Sequence, residues 1–444
     1  MAVIFYPAEI NPPLEYLRFL RSFAATQFEA VNAVVGKYTP YVVNLAAPGA
    51  SPEAAAAQAA HDILLRYYPT SQAALDAALA TSLAAVADGT AKNDGITLGA
   101  SVAMQIWNLR ASDGMTLTVS NAFPGGVGLW SPTPGGPTTP VQQQAAYGTP
   151  WALHSASQFR PGPPPALTSG LWATDFNEIK SLGATNSATR TPEQTDIALF
   201  IIDVPGYTMN SVAKQVAAAK GLSIVDTARV FALMHMAGDD AVYAIFDAKY
   251  AYNFWRPVTA IRAADTDGNA ATAPDVDWLP LRATPPHPEY PCAHCCVGGA
   301  MCGALAAIFG DDFTFTMEST TLPGKPRTFH KFSEYPALAL EGRLYAGFHY
   351  RFSSVVGGDM GQKVGAYVIG NALTAGPTLS GQLQAGEFRI TPRNRGNLQN
   401  RIEASSDLLN WSSLTNYTST DLTVQILDPN AAALNHKFYR AVAP

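Results

Sequence analysis

The chain has 444 residues, 48% of them hydrophobic and 14% charged, with a net charge of −6. That apolar fraction is ample for a large core, and the mildly acidic balance supplies no basic field for nucleic acid or anionic lipid. No apolar run reaches the roughly 18–20 residues that span a bilayer, and "MAVIFYPAEINPPLEY" is broken by prolines and acids where a signal peptide needs an apolar stretch.

In chain order, residues 14–111 predict alanine-rich helices, with apolar residues recurring at three and four and Ser or Thr supplying starts, as in "SPEAAAAQAAHDILLRYY". From 112 to 172 the composition turns to Pro, Gly, Thr and Gln, as in "FPGGVGLWSPTPGGPTTP" and "FRPGPPPALTSG". Such residues sustain neither helix nor central strand, and a loop this long wraps a surface or covers a site. Helical patterning returns over 174–263, 289–309 and 333–374. Past 380, short alternating segments such as "EFRITPR" and "DLTVQILD" between Asn, Asp, Gly and Ser predict strands. The expected architecture is all-α, a large helical bundle over 1–379, with a small β-sandwich-like module over 380–444 whose core takes in Trp411, Tyr417 and Tyr439.

Eight histidines are present, of which His61, His154, His235, His330 and His436 stand alone among ordinary neighbours and are expected to be structural. Three segments differ. In "DAKYAYNFWRP", Lys249 and Arg256 lie seven apart, two helical turns, so both cations are expected on one face among Tyr250, Tyr252, Phe254 and Trp255. A cation in apolar company needs an anion; on this segment alone a solvated basic stripe is an equal alternative.

"TPPHPEYPCAHCCVGGAMCG" combines a proline-held extended lead-in with a buried helix expected to begin near 292. Helix starts present free N–H groups to anions, and His294 would sit in that first turn. All four cysteines are here, Cys292, Cys295, Cys296 and Cys302. Zinc would need ligands from elsewhere, and a thioredoxin-like pair lacks its strand–helix context. Cys295, Cys296 and Cys302 are therefore expected as small core residues, with Cys292 alone at the anion position. In "EGRLYAGFHYRF", Arg343 and His349 are six apart and would leave a regular helix about 120° apart. They share a ligand if arginine reaches or the helix distorts near Gly347.

Lys-x6-Arg-Pro, Pro-x-x-His at a helix start and Arg-x5-His, in that order, resemble the vanadium-dependent haloperoxidases and type 2 phosphatidic acid phosphatases. "FEAVNAVVGKYTPY", "LWSPTP", "RTPEQTDIALF" and "YAGFHYRF" are similar to bacterial haloperoxidase-type members, so that the resemblance covers about residues 15–378. It implies an oxyanion cage in which Lys249, Arg256 and Arg343 are the cations, with Cys292, Ala293 and His294 at the helix start. His349 is implied as the axial vanadium ligand, or as the phosphorus-attacking nucleophile in a phosphatase, and His294 as the acid–base group. Vanadate is the implied cofactor, and phosphate fits the same cage. Hydrogen peroxide, halide and a small organic acceptor are the implied partners: His294 helps peroxide lose protons, Lys249 polarises an oxygen, and halide attacks to give hypohalous acid or its equivalent. His287, seven residues before His294, stands where bromide-oxidising relatives often carry a second histidine, which points to bromide or iodide. Export is implied as well, with the signal segment outside this chain; a homo-oligomer is compatible with all of this.

Two departures from the family pattern stand out. The usual Pro-Ser-Gly-His is Pro291-Cys292-Ala293-His294, which replaces a hydroxyl by a weaker thiol donor and exposes Cys292 to oxidation if its thiolate is accessible. Four residues after His349, where relatives commonly place an aspartate that orients the histidine, stands Ser353. Two alternatives stay open: an acid phosphatase working through a phosphohistidine, and a non-catalytic oxyanion-binding protein whose site has decayed.

Overall fold

The computed structural model describes residues 15–119, 123, 125–203, 205–375, 378–384, 387–393, 399–407, 409–418, 426–428 and 437–442. His436 and the 421–425 part of "DLTVQILD" lie outside them. The alanine-rich first third folds as α1 (Glu15–Val35), α2 (Pro52–Tyr67), α3 (Gln72–Ala84) and α4 (Thr90–Arg110). Ser51 starts α2 as read from the sequence: its hydroxyl accepts the Ala54 N–H at 3.1 Å, and Pro52, which has no N–H to satisfy, follows it. Small residues then let α4 meet α2 backbone to backbone. A Cβ at Gly95 or Gly99 would fall 2.5 Å from the carbonyl oxygens of Ser51 and Ala55.

The Pro/Gly-rich segment wraps the bundle, broken among its described residues only by short 3-10 turns at Gln143–Tyr147 and Ala156–Phe159. Side chains of one long helix pin it. After α5 (Gly170–Leu182), α6 (Pro192–Ile201) and α7 (Pro205–Ala219) comes α8 (Ile224–Tyr252), buried continuously from Val230 to Lys249. Its Asp240 carboxylate accepts the backbone N–H groups of Trp151, Ala152 and Leu153 at 2.6–2.9 Å. Asp239 takes the Trp151 indole N–H, and Asp247 pairs with Arg160 through two bonds of 2.7 Å.

The chain continues through α9 (Pro257–Arg262), α10 (Ala293–Phe309), a hairpin of β1 (Asp312–Met317) and β2 (Arg327–Lys331), α11 (Glu334–Tyr345) and α12 (Arg351–Asn371). The hairpin is an addition to the helical expectation; Phe315 and Phe329 seal it onto the main core. α8, α10 and α12 meet there, and α12 reaches α10 through glycines spaced by four. A Cβ at Gly357, Gly361 or Gly365 would lie 2.4, 2.1 or 2.7 Å from the carbonyls of Cys292, Cys296 and Ala300.

Beyond the helices, β3 (Thr378–Gln384), β4 (Glu387–Arg393), β5 (Gln399–Ser405), β6 (Ser412–Thr418), β7 (Ile426–Asp428) and β8 (Phe438–Val442) form two antiparallel sheets, ordered β3-β4-β7 and β6-β5-β8. Ile390, Ile402 and Tyr417 share one apolar cluster, against which Tyr439 packs. Trp411 instead lies outside that cluster under the Arg440 guanidinium, 4.2 Å from it. Among the described residues no helix is long and apolar enough to cross a membrane.

Candidate oxyanion site

Lys249 stands in the last turn of α8, but Arg256 is not on that helix. Asn253 enters the left-handed region at φ 48° and ends it; the following strand-like stretch bonds Trp130 and Gly128 of the wrap, and Arg256 becomes the residue that opens α9. The expectation of a shared helical face is thus corrected: the two cations converge across a reversal of the chain. Both are fully buried.

What holds them is the proline-rich lead-in, an extended segment whose carbonyls have no sheet partner. Lys249 Nζ donates to the carbonyls of Pro288 and Glu289 at 2.9 and 2.8 Å. Arg256 donates to those of His287, Pro285 and Phe348 at 2.8–3.2 Å. Burial first, then mutual repulsion, pushes the Lys249 ammonium well below its ordinary pKa, and burial lowers Arg256 to about 10 despite the pull of Glu289.

Arg343 lies in the last turn of α11. Gly347, at φ 78°, turns the chain where a Cβ would strike the Gly183 carbonyl at 2.5 Å, so only glycine fits. Arg343 and His349 therefore leave different segments, the distortion at Gly347 that their spacing required. The Arg343 guanidinium lies over the Phe348 ring at 4.6 Å, and its Nε is buried without a hydrogen-bond partner.

His349 is fully enclosed. Its Nδ1 is 2.9 Å from Glu289 Oε1, an oxygen that also accepts the Tyr350 N–H at 3.1 Å. Its Nε2 faces the Arg256 guanidinium at 3.3 Å. Arginine can only donate, so Nε2 carries a lone pair and Nδ1 carries the hydrogen that Oε1 receives. Burial first, then Arg256, Lys249 and Arg343, holds this ring neutral, far below its usual pKa. Sequence reasoning missed Glu289. The available signal was a lone carboxylate inside "PPHPEYP", and it supplies the orienting acid whose absence at Ser353 seemed a defect. Burial raises the Glu289 carboxyl to about 8 against the pull of Lys249 and Arg256, and the Ser353 side chain also acts on it.

α10 begins as expected. Cys292 is the N-cap, its sulfur accepting the Cys295 N–H at 3.4 Å, and the amides of Ala293 and His294 fall in the first turn, where no intrahelical acceptor exists. The His294 ring bonds to the backbone of Ile202 and Asp203; its Nε2 is buried without a partner, and burial, then Arg343, keeps it neutral. His287 Nδ1 lies 3.0 Å from Arg256, and Phe246 packs edge-on to the ring. For Cys292 burial acts upward, but the Cys295 thiol and amide together with Arg343 and Lys249 prevail and lower it to about 6.

One expectation about the cysteines needs correcting: Cys295 is not merely a core residue, since its thiol donates to the Cys292 sulfur at 2.7 Å. Cys296 and Cys302 are core residues, held protonated by burial. Lys249, Arg256, His287, Cys292, His294, Arg343 and His349 thus act on one another electrostatically within one cluster, fully enclosed except at the half-buried His294. The isolated histidines are structural: His61 bridges Asp62 and Asp76, His154 meets Tyr367, His235 Asn210 and His330 Thr314.

Residues 229–375, which contain this whole cluster, match the family of the VCPO second helical-bundle domain. Over 205 residues, 38% of the chain, the sequence is 28% identical to vanadium chloroperoxidase of Curvularia inaequalis. The chain spans 33% of the length of that enzyme. A bacterial vanadium-dependent iodoperoxidase structure superposes with a TM-score of 0.72 at 24% identity, covering 83% of this chain and 93% of that one. An apo bacterial vanadium-dependent chloroperoxidase does so with a TM-score of 0.63 at 18% identity, covering 82% and 95%. The fold is that of the helical vanadium haloperoxidases, and the sequence of residues 229–375 is similar to that superfamily.

Proposed function

We propose that the chain is a vanadate-dependent haloperoxidase that oxidises bromide or iodide with hydrogen peroxide, its chemistry carried by the helical part, 1–379, with 380–444 a separate module. The supporting observation is the neutral His349 ring, with its Nε2 lone pair facing a buried cluster of Lys249, Arg256 and Arg343. Those cations have one buried carboxylate among them, Glu289, while Arg343 Nε and His294 Nε2 have no partner. Buried charge without counter-charge is costly. A tetrahedral oxyanion meets that need, and the donor set fits vanadate.

Bound vanadate would supply a Lewis acid that activates peroxide without changing oxidation state. The three cations and the Ala293 and His294 amides would hold its oxygens, and His349 Nε2 would be the protein ligand. His294 Nε2, neutral and unpartnered, is the base placed to take a proton from peroxide and return it. Lys249 would stabilise negative charge as it develops on oxygen. His287, against Arg256, would bear on halide choice.

The test compares apo-protein with protein given orthovanadate, in peroxide and bromide or iodide, reading halogenation of an acceptor dye. Turnover should require vanadate and fall at least about a hundredfold in His349→Ala, the usual scale for losing a metal-site group. Equal turnover without vanadate, or in the variant, would overturn the proposal. The Glu289–His349 pair also suits a phosphohistidine nucleophile, so an acid phosphatase is the second reading. It predicts vanadate-inhibited hydrolysis of a phosphomonoester without peroxide.

A further inference from the structure

The function proposed above uses Cys292 only as a donor and leaves Cys295 idle, yet the two sulfurs touch. Cys292 is the N-cap of α10 and Cys295 lies three residues on, so both thiols sit on the first helical turn, 2.7 Å apart. That is close to the bonded sulfur separation of about 2.05 Å. Two independent features favour thiolate chemistry at Cys292. The first turn points its free amides at the sulfur, one of them in a direct bond, and the positive charges of buried Arg343 in α11 and Lys249 in α8 favour its charged form. The other two cysteines lack this setting: the Cys296 thiol turns to the Ala241 carbonyl and the Cys302 thiol to Met209.

We propose that Cys292 and Cys295 are a redox-active dithiol that hydrogen peroxide closes to a reversible disulfide in the wall of the oxyanion site. The Cys292 thiolate attacks one peroxide oxygen, the O–O bond breaks, and hydroxide leaves; Cys292 becomes a sulfenic acid and peroxide is reduced. The Cys295 sulfur then attacks the Cys292 sulfur, its proton going with the departing hydroxyl as water. In total, two thiols and one peroxide give one disulfide and two waters. Both sulfurs are closed to bulk solvent, so the oxidant is one small enough to enter at the oxyanion position. Closure removes the Cys292 thiol from the groups facing Lys249 and Arg343, so reduced and oxidised protein present different cages. The supply of peroxide at this place rests on the haloperoxidase reading; the dithiol chemistry does not.

The experiment uses the reduced full-length chain without vanadate or halide, so that its result is independent of whether the protein is a haloperoxidase. After a small excess of peroxide, the protein is denatured in an alkylating agent, its thiols are counted and its peptides weighed. The count should fall from four to two, with a disulfide joining Cys292 to Cys295, Cys296 and Cys302 alkylated, and full recovery on treatment with dithiothreitol. Cys295→Ser should instead carry Cys292 on to sulfinic acid, and Cys292→Ser should leave the remaining three thiols intact. Four surviving thiols in the unsubstituted chain, over-oxidation of Cys292 beside an alkylated Cys295, or a disulfide involving Cys296 or Cys302 would each overturn the proposal.

Discussion

Glu289 and His349 are sixty residues apart in sequence and 2.9 Å apart in the fold, and the pair explains how this chain dispenses with an acid at position 353. One carboxylate oxygen receives both the ring N–H and the Tyr350 N–H, fixing the tautomer and the ring orientation together. Replacement by alanine would strand two buried donors, at about 1–3 kcal/mol each, and free the ring to turn. Glutamine keeps an acceptor oxygen of the same reach. Vanadate binding measured by titration calorimetry should therefore weaken about 10- to 100-fold in Glu289→Ala and clearly less in Glu289→Gln. Equal losses in the two variants would mean that charge, not orientation, is what Glu289 supplies.

At the level of elements, the legible parts were those written in local pattern. Ser51-Pro52 marked a helix start, Pro291-Cys292 marked another, and the Pro/Gly-rich stretch marked the wrap. What stayed hidden depended on partners distant in sequence. A left-handed Asn253 cannot be told from a helical one by spacing, so Lys249 and Arg256 seemed to share a face; Glu289 had meaning only once His349 was beside it; Cys295 looked like core until the first turn placed it on Cys292. The glycines of α12 belong to the same class. They permit α10 and α12 to approach until the Gly361 Cα faces the Cys296 carbonyl, with 2.1 Å left for a Cβ. Since neither backbone can yield without moving Cys292 and the helix start, Gly361→Ala should destabilise the fold by about 1–3 kcal/mol, measured by urea unfolding. It should also weaken vanadate binding, whereas Gly358→Ala, inside the same helix with open space around its Cβ position, should leave binding unchanged and raise stability by up to about 1 kcal/mol through helix propensity. An unaltered unfolding midpoint in Gly361→Ala would contradict the close packing of these helices.

Across the whole molecule, a large apolar bundle pushes its buried histidines and several of its acids towards their neutral forms, which ties stability to pH. His235, His287, His294 and His349 are all held below their ordinary pKa with burial as the first cause, while burial raises Asp240 to about 7 and Glu289 to about 8. The two sets act in opposite senses. For the acids, the folded chain holds protons that the unfolded chain has released, so stability falls as pH rises from about 4 towards 7 or 8. For the histidines, the unfolded chain takes up protons below about 6.5 that the folded chain refuses, so stability falls as pH drops. His235 isolates the second effect, because it bonds Asn210 at 2.8 Å, away from the oxyanion cluster, and titrates at about 3. Between pH 7.5 and 5 it alone should cost about 2 kcal/mol of stability, the slope approaching about 1.4 kcal/mol per pH unit once the unfolded ring is fully protonated. His235→Gln, which keeps an amide able to reach Asn210 but has no proton to gain, should lose that dependence. Unfolding free energies from urea titrations at pH 7.5 and pH 5 should show the difference between the two pH values shrinking by about 2 kcal/mol in the variant, whatever the substitution costs at either one. The same shrinkage would be absent if His235 were protonated in the folded protein, since the native state would then gain its proton along with the unfolded one.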